Sequence, residues 1–104
     1  MTRERNRFGL TVRDMQVLKS VFTKYPSVKS IVVFGSRAKG TYSTGSDIDL
    51  AIMDNLDSDE TLRKIKNDFE DSPLPYFVDL VSYPCLNDSR FKEHIDRVGV
   101  PLFG

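Results

Sequence analysis

Two aspartates one residue apart, Asp47 and Asp49, interleaved with Ile48 and followed by Leu50-Ala51-Ile52, constrain this chain more than any other feature. The apolar neighbours make the segment a strand of about Asp47 to Met53. Side chains on a strand alternate faces, so both carboxylates share one side while Ile48 and Leu50 share the other. Ten residues separate the pair from Gly35-Ser36, which ends the β-branched and aromatic run Ile31-Val32-Val33-Phe34. That run has strand character from about Val28, and Ser36-Arg37-Ala38-Lys39 is compatible with a short helix. Unpaired N–H groups at the start of such a helix suit a phosphate. Taken singly, Gly35-Ser36 reads as an ordinary strand-ending turn and the two acids as edge-strand charges. Their combination, in this order and at this spacing, shifts the reading towards a site.

Composition limits what the site can serve. At 104 residues and 39% hydrophobic, the chain is expected to be one domain over 1–104, able to bury a core but not to add a separate substrate domain. The formal net charge is +0 at pH 7, so no direct DNA binding is expected and any contact with nucleic acid would be local. Cys85 is the sole cysteine and matches no disulfide, metal or redox spacing. With neither a signal peptide nor an apolar run able to span a bilayer, the expected setting is the cytoplasm, with no membrane association.

The remaining segments read as support. The charged opening predicts a flexible, solvated tail over residues 1–9. Thr11 and Asp14 form a capping box for a helix with Val12, Met15, Leu18 and Phe22 on one stripe, ended by Tyr25-Pro26. Gly40 to Thr44 is small and polar and reads as an exposed loop, and Gly45-Ser46 turns into the next strand. Asp57 and Glu60 suggest a second capping box, before a helix with Leu62, Ile65 and Phe69 inward. Asp54, Asp57, Asp59 and Glu60 read as helix-start acids, since they lack the glycine and ligand spacing of a calcium loop. Tyr76 to Tyr83 reads as a third strand with one acid, Asp79, amid apolar and aromatic neighbours. Asn87 or Asp88 caps a last helix with Phe91, Ile95 and Val98 inward and Gly99 as a left-handed cap, and His94 sits at its boundary. The order of elements gives an α/β (α+β) layer fold around a small sheet.

If the strands of Asp47-Asp49 and Asp79 are neighbours, three carboxylates converge beside the Gly35-Ser36 turn. At about 5 Å they repel by roughly 3 kcal/mol per pair at an effective dielectric near 20, a large part of a small domain's ~5–15 kcal/mol. Hard oxygen ligands on a strand suit Mg²⁺ or Mn²⁺, and a two-ion site sharing substrate phosphates would activate an attacking hydroxyl. Gly35 lets backbone approach a triphosphate, Ser36 binds its oxygens, and Arg37 or Lys39 neutralises it. The implied chemistry is nucleotidyl transfer. A P-loop does not fit, because Thr41 stands where its lysine belongs.

Phe34-Gly35-Ser36, ten residues, then Asp47-Ile48-Asp49-Leu50 resembles the signature of the DNA polymerase β-type nucleotidyltransferase superfamily. The fuller run GSRAKGTYSTGSDIDLAI is similar to its minimal nucleotidyltransferase (MNT) branch, with Lys39 in place of a common arginine. The resemblance implies a nucleotidyltransferase fold with a small mixed sheet flanked by helices. It implies Asp47, Asp49 and Asp79 as catalytic, metal-linked carboxylates, with Asp79 as base, and Gly35, Ser36, Arg37, Lys39 and Ser46 around the nucleotide. It also implies ATP as donor, two Mg²⁺ or Mn²⁺ ions, and a helical HEPN-type toxin as partner, whose tyrosine receives AMP. The alternative expectation is an antitoxin that neutralises its partner by contact without turnover.

Overall fold

The computed structural model describes residues 5–43 and 45–103. Helix α1, Val12–Thr23, begins where expected: Thr11 Oγ1 accepts from Asp14 N–H at 3.1 Å and Asp14 Oδ2 accepts from Thr11 N–H at 3.1 Å, closing the capping box. Strand β1, Ile31–Phe34, runs into the short helix α2, Gly35–Lys39, and β2, Ile48–Ile52, follows. Then come α3, Asp59–Glu70, strand β3, Val78–Ser82, a 3₁₀ turn at Tyr83–Cys85, α4, Ser89–Val98, and β4, Val100–Pro101. The four strands form one mixed sheet in the order β3-β2-β1-β4, with β1 antiparallel to β2 and β4 and β2 parallel to β3. This is the small mixed sheet flanked by helices that the sequence led one to expect. No helix among the described residues is long and apolar enough to cross a membrane.

Strand alternation divides the core in two. Ile31 and Val33 of β1, Ile48, Leu50 and Ile52 of β2 and Leu80 of β3 pack with Leu18, Val21 and Phe22 of α1 and Ile65 and Phe69 of α3. Phe34 and Ala51 pack instead with Ile95 of α4, joined by Val32, Val81, Phe91 and Val98. Odd and even positions of β1 and β2 thus bury against different helices, and a one-residue slip would turn both sets outward.

Several local expectations change. Helix α3 starts at Asp59 with Ser58 as an N-cap that makes no side-chain hydrogen bond, so the Asp57–Glu60 capping box does not form. Asp59 and Glu60 do occupy its first turn, whereas Asp54 lies outside the helix and its Oδ2 accepts from the N–H groups of Lys29 and Ser30, both at 2.8 Å. That carboxylate joins the end of β2 to the approach of β1. Asp54→Ala is therefore expected to cost about 1–2 kcal/mol, read as a lower urea midpoint at unchanged slope. Gly99 has φ −62 and ψ 136, extended rather than left-handed, because the chain continues directly into β4, which pairs with Val32 and Val33. Asp88 is the cap of α4, accepting from Arg90 N–H at 2.9 Å.

The tail expected over residues 1–9 is instead packed from Arg5 onward. Residues 1–4 lie outside the described residues, but Phe8 and Leu10 are buried and Arg5 bridges to Thr11. Asn6 Oδ1 accepts from Phe8 and Leu10 N–H at 2.9 and 3.1 Å, folding this segment on itself. Two apolar side chains in a short charged stretch were enough to anchor it.

Candidate active site

The centre of the site follows from register. Phe34 pairs with Asp49 across β1 and β2, and Asp49 pairs with Asp79 across β2 and β3. Ile48 and Leu50 are fully buried on the α1–α3 side, so Asp49 emerges on the opposite face, with Asp47 two residues earlier on the same side. Asp79 lies between the inward Val78 and Leu80 and shares that face. Asp49 is half-buried, and Asp47 and Asp79 are exposed.

Gly35 closes the other side. Its φ is 72, a left-handed backbone that favours glycine, and a Cβ there would run into Asp49 Oδ2, with Asp49 Cγ at 3.1 Å. Strand β1 can therefore turn sharply into α2 with its backbone against the Asp49 carboxylate. Ser36, the next residue, is half-buried, and its carbonyl accepts from Thr41 N–H at 3.0 Å.

Electrostatics marks Asp49 as strained. Burial pushes its carboxyl up from 3.8 to about 6, the negative charges of Asp79 and Asp47 push the same way, and the Arg37 guanidinium offsets part of the rise. Such a group is stabilised in its charged form by a cation. Among the described residues no three Asp, Glu, His or Cys side chains stand gathered as a metal cage. The donor set nonetheless fits a hard divalent ion: Asp49 and Asp79 are laterally paired, Asp47 immediately precedes β2 and its charge acts on Asp49, the carboxylate that burial disfavours while charged, and Asp47 and Asp79 are exposed.

The nucleotide-binding expectations divide. Arg37 is 2% exposed: its Nε and Nη2 donate to the Ser46 carbonyl at 3.1 and 2.8 Å, and its Nη1 donates to the Phe8 carbonyl at 2.8 Å. It also stacks at 5.2 Å from the Tyr42 ring centre and 4.6 Å from that of Tyr76. A guanidinium so enclosed acts as a structural clamp and has little surface left with which to meet a phosphate. Ser46 is likewise committed to its own loop, its Oγ accepting from Ser43 N–H at 2.9 Å. Lys39 is exposed at the end of α2, and its charge is not among those acting on Asp49. His94 packs edge-on against Phe34, with centroids 6.4 Å apart, as a half-buried boundary residue. Tyr42 and Tyr76 had no assigned role in the sequence reading. The only sequence signal for them is a pair of aromatics in otherwise polar or proline-rich connectors, and Tyr42 is half-buried in a loop expected to be exposed.

The chain is similar to known proteins along most of its length. A family model described as polymerase beta nucleotidyltransferase matches residues 16–104. A probable protein adenylyltransferase MntA of Haemophilus influenzae is 32% identical over 90 residues, covering 86% of this chain and 78% of its own. A toxin–antitoxin crystallised with AMP-PNP shares the fold with a TM-score of 0.70 at 22% identity, over 88% of this chain and 73% of the other. A tri-AMPylated Shewanella oneidensis HEPN toxin in complex with an MNT antitoxin matches with a TM-score of 0.54 at 22% identity, over 86% and 69%.

Proposed function

Because the chain belongs to the polymerase β nucleotidyltransferase family, in its minimal nucleotidyltransferase branch, we propose that it is an antitoxin that transfers AMP from ATP to a tyrosine hydroxyl of a HEPN-type toxin. The observation that carries this reading is the lateral register Phe34–Asp49–Asp79, which sets a strained carboxylate between the Gly35 turn and a second, exposed acid. The 32% identical relative is named for protein adenylylation, and one solved structure of similar fold pairs an MNT antitoxin with a tri-AMPylated HEPN toxin. A small soluble-type core with one exposed free thiol, Cys85, is compatible with a reducing cytoplasm.

In the reaction, the acceptor oxygen bonds to the α-phosphorus of ATP, the bond to the bridging oxygen breaks, and pyrophosphate leaves. Asp47 and Asp49, with Asp79, would hold Mg²⁺ or Mn²⁺. Such ions, when bound, lower the pKa of an attacking hydroxyl and offset charge on the phosphates. Asp79, exposed at the β3 edge of the face, receives the acceptor proton. Gly35 keeps the turn open against Asp49, and the Ser36 hydroxyl and backbone would contact the phosphates.

The test pairs the chain and a HEPN partner with α-labelled ATP and Mg²⁺. Label should reach the partner with wild type and fall to background with Asp47→Asn/Asp49→Asn or with chelator. The alternative reading is neutralisation by contact alone, without turnover. Full neutralisation of toxicity by the double variant would establish that reading instead.

A further inference from the structure

The Arg37 clamp ties together three segments that the family signature treats as separate. Phe8 belongs to the N-terminal segment, outside the part of the chain that the family model matches. Ser46 immediately precedes Asp47, and Tyr76 leads into β3 two residues before Val78. Arg5 reinforces the junction, donating from Nη1 to the Gly9 carbonyl at 2.8 Å and to Tyr76 Oη at 3.3 Å. Gly9 in turn lies under Tyr42: a Cβ there would stand 2.6 Å from Tyr42 Cζ.

The entries to the two parallel strands that carry the acids are thus held by one side chain. Between those entries the backbone contributes Ile48 N–H donating to the Phe77 carbonyl at 2.9 Å. Among the described residues no other side chain hydrogen-bonds to both the N-terminal segment and the entry of β2. A planar guanidinium suits this place because it can donate in its plane to two carbonyls while its faces stack on two rings. An ammonium cannot do both.

We propose that Arg37 is a positioning residue: clasped by Phe8 and Ser46 between the rings of Tyr42 and Tyr76, it sets the entry of β2 against that of β3 and so aligns Asp47 and Asp49 with Asp79. The N-terminal segment over 5–10 is then part of the active-site framework rather than a tail. For its kinetic arm the inference rests on the transfer activity proposed above.

The experiment compares Arg37→Lys and Arg37→Gln with wild type in two ways. In the transfer assay both variants are expected to lose about 100-fold in kcat, the scale of a small misplacement of reacting groups. The nucleotide KM should move by less than about threefold, since ground-state binding is not what is lost. Lysine should not rescue. In native-state amide hydrogen exchange, the amides of Ile48, Asp49 and Leu80 should exchange faster in the variants while those of α3 keep their wild-type rates. Wild-type turnover in Arg37→Lys would overturn the proposal, because charge alone would then suffice. So would a rise of about tenfold or more in KM at unchanged kcat, the mark of a phosphate ligand, or unchanged exchange at Ile48 and Asp49.

Should the arginine variants fail to melt cooperatively, Tyr42→Leu and Gly9→Ala carry the same test from outside the carboxylates. The first removes one wall of the stack and the second pushes that wall aside. Both should show the kcat-selective loss, and wild-type kcat in both would overturn the proposal. If wild type itself labels no acceptor, the proposed function fails, and the exchange comparison alone still decides the clasp.

Discussion

Replacing Asp49 with asparagine is expected to raise the melting temperature of the metal-free protein while ending nucleotidyl transfer. Burial first, then Asp79 and Asp47, lift the Asp49 carboxyl to about 6 in the folded chain. Unfolded, it titrates near the ordinary carboxylate value of about 3.9. Between those values the folded state holds a proton that the unfolded chain has released. The contribution of Asp49 to stability is therefore largest below about pH 4 and is lost as pH rises to about 6, and at neutral pH the charged group works against folding. Discounted for partial exposure to water, the penalty is on the order of 1–2 kcal/mol. Asn removes it, and for a domain of this size each kcal/mol shifts the midpoint by about 4–8 °C. Calorimetry at pH 7.5 with chelator checks the increase, and its disappearance at pH 4 checks the sign. With Mg²⁺ and ATP the wild type should recover stability that the variant does not, because only the wild type keeps the full donor set. An Asp49→Asn variant that melts below wild type without metal would show that the charge is not strained.

Gly35→Ala is expected to damage both fold and chemistry. The backbone at φ 72 costs an L-residue about 1–2 kcal/mol before any contact is counted. The added methyl would then occupy the place of Asp49 Oδ2, so either the carboxylate rotates away or β1 lifts from β2. Movement of Asp49 by about 1 Å is enough to lower turnover about 100-fold. The prediction is a loss of roughly 2–3 kcal/mol in urea unfolding together with that loss in kcat. Gly40→Ala is the control: its φ is 80 but a Cβ there meets nothing within 4 Å, so it should share the backbone penalty and keep most of the activity. Equal activity losses in the two variants would show that strain, not the approach to Asp49, is responsible.

What could be read from residues alone was local or periodic. Alternation along β2 put Asp47 and Asp49 on one face, and the motif spacing from Gly35-Ser36 pointed to the family. The Thr11–Asp14 capping box and the Asp88 cap lie within one helical turn and formed as read. Two expectations failed where a distant segment competes with a local preference. Gly99 is extended because β1 offers β4 a pairing partner, and Asp54 serves the backbone of Lys29 and Ser30 rather than a helix start.

By itself, the sequence determined the family, the strand carrying two carboxylates and the glycine that must precede them, because each depends on backbone geometry within a few neighbouring residues. Only the tertiary structure decided that Asp79 stands in lateral register with Asp49, and that Arg37 is buried against a carbonyl 29 residues away. Burial is a property of the surroundings and not of the residue. A guanidinium or a carboxylate acquires its role from groups that folding alone brings to it.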